Sequence, residues 1–234
     1  MATFGPARLD DTGAAQVAPP AFTAARLLIL QRVLATLTHE LGNLTSPVSL
    51  IADAIAASPS PKQQTNAVGT LRVVADSLRH TTAICRLLRG KEAASSLAPP
   101  MFTDTAHCWR LLQPYVADML HHTTRLHGRV AAVPIAAGQY EPFVWATMAA
   151  ALFASTTRPS STDLTVTGTA DGPDGSTLIV QFATDAPRST PVARLARELK
   201  RLTEWEAARA GGGVQITSSS SRLVTRITIP PSPD

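Results

Sequence analysis

A long apolar periodicity dominates the first part of the chain. Leucine, valine and isoleucine recur there at alternating steps of three and four residues, which is the a/d spacing of a heptad. The members of this apolar seam are Leu27, Leu30, Leu34, Leu37, Leu41, Leu44, Val48, Ile51 and Ile55. The pattern predicts one long helix that packs against other helices and ends at the segment SPSPK, 58–62.

A second helix is predicted after this segment, from about residue 65 to residue 89. Its apolar positions fall mostly on one side of the helix. They are Leu71, Val74, Leu78, Cys85 and Leu88. The two helices would form an antiparallel hairpin with too much apolar surface to be stable alone, so we expect two copies to meet as a dimeric four-helix bundle. We assign 21–92 to this hairpin and 1–20, which has no apolar period, to a disordered tail.

The pattern changes after a linker-like segment at 90–100. From 101 to 231, helical periods are interspersed with the short alternating runs that are typical of strands. Helices are predicted at about 103–122, 140–156 and 190–210, and strands at about 129–135, 162–170, 176–184, 212–218 and 222–229. This order, with mostly antiparallel strands, predicts a two-layer α/β sandwich, and the chain as a whole is α+β.

Composition narrows the classes of function. The chain has 234 residues and 44% hydrophobic content, yet no segment approaches the roughly 18 consecutive apolar residues of a membrane-spanning helix. No secretory signal is evident, so we expect a cytoplasmic protein that does not contact a membrane. The net charge of +4 is carried by scattered basic residues, and aromatic residues make up only 5%. Because a nucleic-acid-binding face needs clustered charge, we do not expect a nucleic-acid partner.

The two cysteines argue against a metal site. Cys85 and Cys108 lie in separate predicted helices and lack the CxxC spacing of metal ligands. Free thiols are the plainer interpretation.

The stretch THELGN, 38–43, interrupts the leucine-rich run. His39 occupies heptad position f, the farthest from the seam, and therefore faces solvent or a partner. Gly42 and Asn43 share its face, although a glycine in a helix interior costs about 1 kcal/mol relative to alanine. An ordinary surface histidine is the plainer interpretation. Glu40 can however reach the flank of the imidazole, the missing side chain at Gly42 opens the approach, and Asn43 can orient a phosphoryl oxygen or a water. The combination indicates a histidine that can be phosphorylated.

This stretch resembles the H box of the dimerisation and phosphotransfer domain of sensor histidine kinases. In that motif a histidine is followed directly by Glu or Asp and then, after two intervening residues, by Asn or Thr. The match is residue by residue at His39, Glu40 and Asn43. The resemblance implies that His39 accepts a phosphoryl group, that Glu40 assists and that Asn43 can serve a phosphatase reaction. We expect the docking surface for a partner to consist of exposed residues around His39, namely Arg32, Ala35, Thr36, Gly42, Asn43 and Ser46.

The segment 101–231 resembles the ATP-binding domain of the same kinases in the order and length of its elements. The nucleotide chemistry is missing from it. The helix that would supply an asparagine for Mg²⁺ reads FVWATMAAALFAST, 143–156, without Asn, Asp, Glu or Gln. The glycine turn that would contact adenine reads TDAPR, 184–188, where only Asp185 survives. We therefore predict a degenerate ATPase-like domain with no cofactor and no metal of its own. The glycines 211–213 are interpreted as a helix C-cap and turn.

A phosphoacceptor histidine without a kinase site must receive its phosphoryl group from another protein. This combination resembles the ChpT-type histidine phosphotransferases, which relay phosphate between the aspartates of receiver domains without binding ATP. The resemblance implies a homodimer whose partners are the receiver domains of a hybrid kinase and of a response regulator, with Mg²⁺ supplied by the receiver. Two alternatives stay open. One is a cytoplasmic histidine kinase with a divergent ATP site, and the other is a non-catalytic pseudokinase module that regulates a two-component system.

Overall fold

The computed structural model describes seven ranges, 23–57, 60–89, 104–120, 124–158, 161–172, 175–185 and 193–231. They contain the helices α1 (Thr23–Ala56), α2 (Pro61–Arg89), α3 (Thr105–Met119), α4 (Ala137–Thr157) and α5 (Ala193–Arg209). They also contain the strands β1 (Arg125–Val130), β2 (Asp163–Asp171), β3 (Thr177–Asp185), β4 (Gly213–Ser218) and β5 (Arg222–Ile229). The predicted tail 1–20 and the predicted linker 90–100 lie outside the described residues.

The predicted helical hairpin is confirmed, since α1 and α2 pack against each other. α2 begins at Pro61, a few residues earlier than predicted. Proline is well suited to the first helical position because it has no N–H to leave unsatisfied. Ser60 precedes it, and both its backbone N–H and its hydroxyl donate to the Gln63 side chain, at 2.8 and 2.9 Å. Local capping therefore sets this boundary, which the apolar period does not mark.

The C-terminal part is the predicted two-layer sandwich. Its sheet has the order β1-β2-β3-β5-β4, in which β1 pairs parallel with β2 and the other pairs are antiparallel. One predicted boundary was wrong, because the strand placed at 129–135 lies at 125–130. The apolar residues that follow β1 instead form an irregular connection to α4 that buries Val133 and Ile135. Pro134 between them lacks the N–H that a further ladder hydrogen bond requires.

Helix α4 lies at the centre of the fold. It packs on α5 and on strands of the sheet, and it also touches α1, α2 and α3. Nearly every residue from Pro142 to Ser155 is buried, and Ala149, Ala150 and Ala151 are fully buried. A helix that is apolar all round is one that is covered on every side. Burial on every side thus explains why 143–156 contains no charged or amide side chain.

The hairpin and the sandwich share one core. Ala25, Ile29 and Val33 of α1 and Ile84 of α2 belong to the same buried cluster as the residues of α3, α4 and α5. The half of the hairpin nearest the chain's N-terminus is therefore fixed on the sandwich. The far half, near the α1–α2 connection, keeps most of its apolar side chains exposed.

A cation between two tryptophans strengthens this junction. The Arg26 guanidinium lies 5.3 Å from the ring centroid of Trp145 and 5.2 Å from that of Trp205. It also pairs at 2.5 Å with Glu206, whose side chain is fully buried. Arg209 approaches the same carboxylate to 2.7 Å. Because a buried carboxylate requires such partners, this cluster ties the start of α1 to α5.

Among the residues that the structure describes, no helix combines the length and the apolar character needed to cross a membrane.

Candidate functional site

His39 lies in the middle of α1 with its side chain exposed. At 100° per residue, it faces away from the exposed members of the apolar seam, such as Leu34 and Leu41. The structure thus places His39 where the heptad predicted it, on the side of the hairpin that remains open when the seam is covered.

Asn43 is the hydrogen-bond partner of His39. Its Nδ2 lies 3.2 Å from His39 Nε2, one helical turn along the same face. In the imidazole tautomer that carries its proton on Nδ1, the Asn43 amide donates to the Nε2 lone pair. This contact orients the ring and engages Nε2, whose lone pair can act as a nucleophile once the amide is displaced.

Glu40 differs from expectation. The sequence predicted that its carboxylate would flank the imidazole, but no hydrogen bond or ion pair joins these two described residues. The hydroxyl of Tyr115 on α3 donates to Glu40 Oε2 instead, at 2.8 Å. Burial, followed by the hydrogen bond and charge of Glu40, raises the pKa of Tyr115 well above its ordinary value, while a hydrogen bond with Thr81 lowers it slightly. Tyr115 therefore remains protonated and remains a donor to the carboxylate.

Gly42 has open space around it. A methyl group built on its Cα would meet nothing within 4 Å outside the local helix. No positive φ or close backbone approach in the single chain requires a glycine here, although glycine weakens the helix. The room at Gly42 is therefore available to something outside the chain.

A groove adjoins this surface at the junction of hairpin and sandwich. It encloses about 260 Å³. Its lining residues come from α1, α2 and α3, and they are Glu40, Asn43, Leu44, Ser77, Arg110, Leu111, Pro114 and Tyr115. Arg110 is exposed, and no described carboxylate lies within ion-pair distance of it. Among the described residues, the groove thus carries the Arg110 guanidinium without an ion-pair partner, close to Asn43, which holds His39.

The prediction was wrong for one residue of the docking surface. Thr36 was expected on the exposed face, but its side chain is buried and donates to the Arg32 carbonyl at 3.1 Å. Thr36 lies on the stripe that α1 buries against the sandwich, which a reading of the hairpin alone does not reveal. The remaining predicted docking residues are exposed, namely Arg32, Ala35, Gly42, Asn43 and Ser46.

An uncovered apolar stripe runs along the opposite side of the hairpin. Leu41 and Val48 of α1 meet Leu78 of α2 in an open groove of about 460 Å³. The exposed apolar residues at heptad spacing, here called the exposed stripe, are Leu27, Leu30, Leu34, Leu41, Val48 and Ile55 of α1 with Val68, Leu71 and Leu78 of α2. Contiguous apolar surface of this extent indicates an interaction site.

Sequence reasoning missed three residues of the His39 side. Tyr115 and Arg110 belong to α3, and only the docking of the sandwich on the hairpin brings them to the groove. Leu50, which is 68% exposed, lies three helical turns from His39 on the same face. An apolar residue outside the a/d seam was the available signal for Leu50, and the sequence held none for the other two.

Asp185 and the glycines 211–213 are the positions at which the sequence was compared with a nucleotide site. Asp185, at the end of β3, has a side chain that is 78% exposed and lies 3.4 Å from Arg222 Nε. Thr184 belongs to β3, and residues 186–188 of the TDAPR turn lie outside the described residues. Gly211, two residues after the end of α5, has φ 77°, and its N–H donates to the Ala208 carbonyl at 2.9 Å, as in a helix C-cap.

The cysteines are free, with Cys108 buried and Cys85 half-buried. Burial raises the pKa of the Cys108 thiol far above its usual range, so it does not ionise at neutral pH. Within the described ranges, no cluster of three or more His, Cys, Asp and Glu side chains is arranged to hold a metal ion.

Comparisons with known proteins gave structural similarity only. No protein-family model matches the sequence, and no curated protein matches it. The histidine kinase domain of the Erythrobacter litoralis EL346 blue-light activated histidine kinase aligns with 11% identity and a TM-score of 0.46, covering 80% of this chain and 95% of that chain. A bacterial phosphotransferase aligns with 13% identity and a TM-score of 0.44, covering 87% and 96%. The Acinetobacter baumannii histidine kinase AdeS aligns with 11% identity and a TM-score of 0.39, covering 82% and 98%. At these values, the function has to be argued from the site itself.

Proposed function

We infer that the protein is a histidine phosphotransferase of a two-component phosphorelay, in which His39 carries a phosphoryl group between the aspartates of receiver domains. The observation that carries this proposal is the exposed His39 imidazole, whose Nε2 is oriented by Asn43 beside an open glycine. A buried or ion-paired histidine could not be reached by another protein. The H-box pattern of the sequence supports the same assignment.

The proposed reaction is a reversible displacement at phosphorus. The Nε2 lone pair of the neutral imidazole attacks the phosphorus of an aspartyl phosphate on the docked receiver. The N–P bond forms as the P–O bond to the aspartate breaks, and the electron pair leaves with the receiver carboxylate. The second receiver reverses the step when its aspartate attacks the phosphohistidine. Mg²⁺ arrives with the receiver, so this chain contributes a positioned nucleophile. As Nε2 forms its new bond, the Asn43 amide moves from the lone pair to a phosphoryl oxygen.

We further propose that the chain does not use ATP. Triphosphate binding needs Mg²⁺ and oxygen ligands. The two amide or carboxylate side chains of α4, Gln139 and Glu141, lie among its first five residues and are engaged elsewhere. Gln139 donates to the carbonyls of Ala210 and Pro230, and Glu141 pairs with Arg209 at 3.1 Å. The alanines further along α4 are buried in apolar packing, and Asp185 is exposed at the rim. These residues do not fit a nucleotide with its metal.

A homodimer is part of the proposal. Covering the exposed stripe with a second copy would complete a four-helix bundle and leave both His39 side chains on its outer surface. Burial of a leucine or valine side chain contributes about 1.5–3 kcal/mol relative to exposure. The nine residues of the exposed stripe in each copy provide enough apolar surface for a stable interface.

A comparison of phosphodonors tests the proposed function. We expect no label on the purified protein after incubation with radiolabelled ATP and Mg²⁺, because α4 offers no ligand for the metal. Each receiver domain of the encoding genome is phosphorylated with radiolabelled acetyl phosphate before mixing. We expect at least one of them to transfer its labelled phosphoryl group rapidly to the protein. Self-phosphorylation from ATP would favour a kinase with a divergent site. Labelling from neither donor, with receiver binding retained, would favour a regulatory module.

Gly42→Ala distinguishes the effect of residue 42 on the approach of a partner from its effect on the stability of the chain. Alanine is the better helix former and meets no atom within 4 Å here, so we expect the free energy of unfolding to rise by about 0.5–1 kcal/mol. Phosphotransfer from a receiver should nevertheless slow about tenfold, because a methyl group beside His39 obstructs an in-line approach that tolerates little misplacement. Chemical denaturation measures the free energy of unfolding, and a quenched time course of phosphotransfer measures the rate.

Gly69→Ala is the matched control. Gly69 also stands in a helix with open space around it, but it lies in α2 away from His39. It should raise stability by a similar amount and leave transfer unchanged. Equal transfer rates for Gly42→Ala and Gly69→Ala would show that the open position beside His39 has no role in the reaction.

A further inference from the structure

The acidic residue of the H-box pattern is held by the other part of the molecule. Glu40 follows His39 directly, but its carboxylate points about 100° around the helix from the imidazole and meets the Tyr115 hydroxyl at 2.8 Å. Tyr115 is only 2% exposed, so solvent competes little for its hydroxyl. A hydrogen bond to a carboxylate from such a donor is among the stronger ones in proteins. The bond spans 75 positions of the chain and joins α1 to α3.

The hydrogen bond between Tyr115 and Glu40 affects the charge that the groove beside His39 presents. Glu40 and Arg110 line the same groove, yet they do not form an ion pair in the structure. While Tyr115 holds Glu40, the Arg110 guanidinium stays uncompensated and the carboxylate is kept away from the path to His39. An incoming aspartyl phosphate is an anion, so it meets attraction from Arg110 and reduced repulsion from Glu40.

We propose that Tyr115 is a positioning residue that sequesters the Glu40 carboxylate, so that the groove beside His39 presents the positive charge of Arg110 to a phosphorylated receiver. This role rests on the proposed function, because the phosphorylated receiver is the partner of that same reaction. Tyr115 touches neither phosphate nor imidazole, and it acts through Glu40. Released from Tyr115, Glu40 would neutralise Arg110 or face the incoming phosphate.

A double-mutant cycle tests this role. The variants are Tyr115→Phe, Glu40→Gln and the two combined. The reaction is phosphoryl transfer from a phosphorylated receiver domain to the full chain. We expect Tyr115→Phe to raise the half-saturating receiver concentration about fivefold, while the maximal rate constant changes by less than about twofold. Glu40→Gln should not raise the half-saturating concentration, whatever its effect on the maximal rate constant, because it removes a negative charge from the groove. The double variant should resemble Glu40→Gln, because a neutral amide that is released carries no charge into the groove.

Salt provides a readout that a purely structural role of Tyr115 would not affect. The fivefold effect of Tyr115→Phe should shrink towards onefold between low salt and about 0.5 M, since the Debye length falls well below the dimensions of the groove. Thermal unfolding of each variant checks that the fold is retained. Glu40→Gln keeps the test available if Tyr115→Phe is unstable, because its half-saturating receiver concentration must not exceed that of the wild type.

The outcomes separate this role from the proposed function. A Tyr115→Phe protein with wild-type kinetics would overturn the sequestration of Glu40 and leave phosphotransfer standing. An equal defect in the Glu40→Gln background would also overturn it, since Tyr115 would then act independently of Glu40. Wild-type protein that accepts no phosphoryl group from any charged receiver would overturn both.

Discussion

His39→Asn is expected to abolish the acceptance of phosphoryl groups from receiver domains. Asparagine retains a polar side chain in the helix, but its amide nitrogen has no lone pair that can attack phosphorus. We expect transfer to fall by at least about 100-fold, to the limit of detection. His39 is exposed, so the free energy of unfolding should change by no more than about 0.5 kcal/mol. Acid-labile, base-stable phosphate on the chain after mixing with a charged receiver is the quantity to follow.

His127→Asn is the control for this substitution. His127 is also exposed, and its Nε2 lies 3.1 Å from Asp163 on the outer strands of the sheet, away from α1. Its replacement should leave transfer at the wild-type rate. Phosphate that persists on the His39→Asn protein would place the acceptor at another residue and contradict the assignment.

Leu34→Asp combined with Leu41→Asp is expected to convert the protein from a dimer to a monomer. Both leucines belong to the exposed stripe, and in the single chain Leu34 is 64% exposed and Leu41 is 42% exposed. A carboxylate at these positions is harmless in a monomer, but in a four-helix bundle it is buried without a partner. With four leucines lost per dimer, the dissociation constant should rise by far more than about 100-fold. Light scattering at micromolar concentration measures the mass directly.

Leu50→Asp controls for the general effect of removing an exposed leucine from α1. Leu50 is as exposed as Leu34 but lies on the His39 face, opposite the exposed stripe. The Leu50→Asp protein should remain dimeric. A wild-type protein that is monomeric at these concentrations, or a dimer that survives both aspartates, would contradict the proposed bundle.

Periodicity was sufficient for the order and type of the described elements. The helices α1, α4 and α5 and the strands β2 to β5 lie within about three residues of their predicted limits, because each has an apolar period or, in α4, a continuous apolar run of its own. The strand predicted at 129–135 failed because burial alone does not distinguish a strand from a packed connection. Pairing with β2 fixes β1 at Arg125–Val130, and that pairing is a long-range property.

The site was predictable as far as it is built from one helix. His39, Asn43 and Gly42 are related by steps of three and four, so the heptad alone placed them on one exposed face. Thr36 and Glu40 were interpreted less well, because each is determined by the sandwich that packs on α1. Thr36 is buried there, and Glu40 is bound by Tyr115 from α3. Contacts between residues far apart in the chain leave no spacing signal in the sequence.

The most direct test of the account is to locate the phosphoryl group. A receiver domain is phosphorylated with acetyl phosphate, and the excess acetyl phosphate is removed. Wild-type protein is then mixed with this receiver without any nucleotide, and the modified residue is identified by mass spectrometry under non-acidic conditions. The account predicts a single phosphohistidine at His39, formed within seconds and discharged when a second, unphosphorylated receiver is added. Phosphate on any other residue, or phosphate that appears only when ATP is supplied, would contradict it.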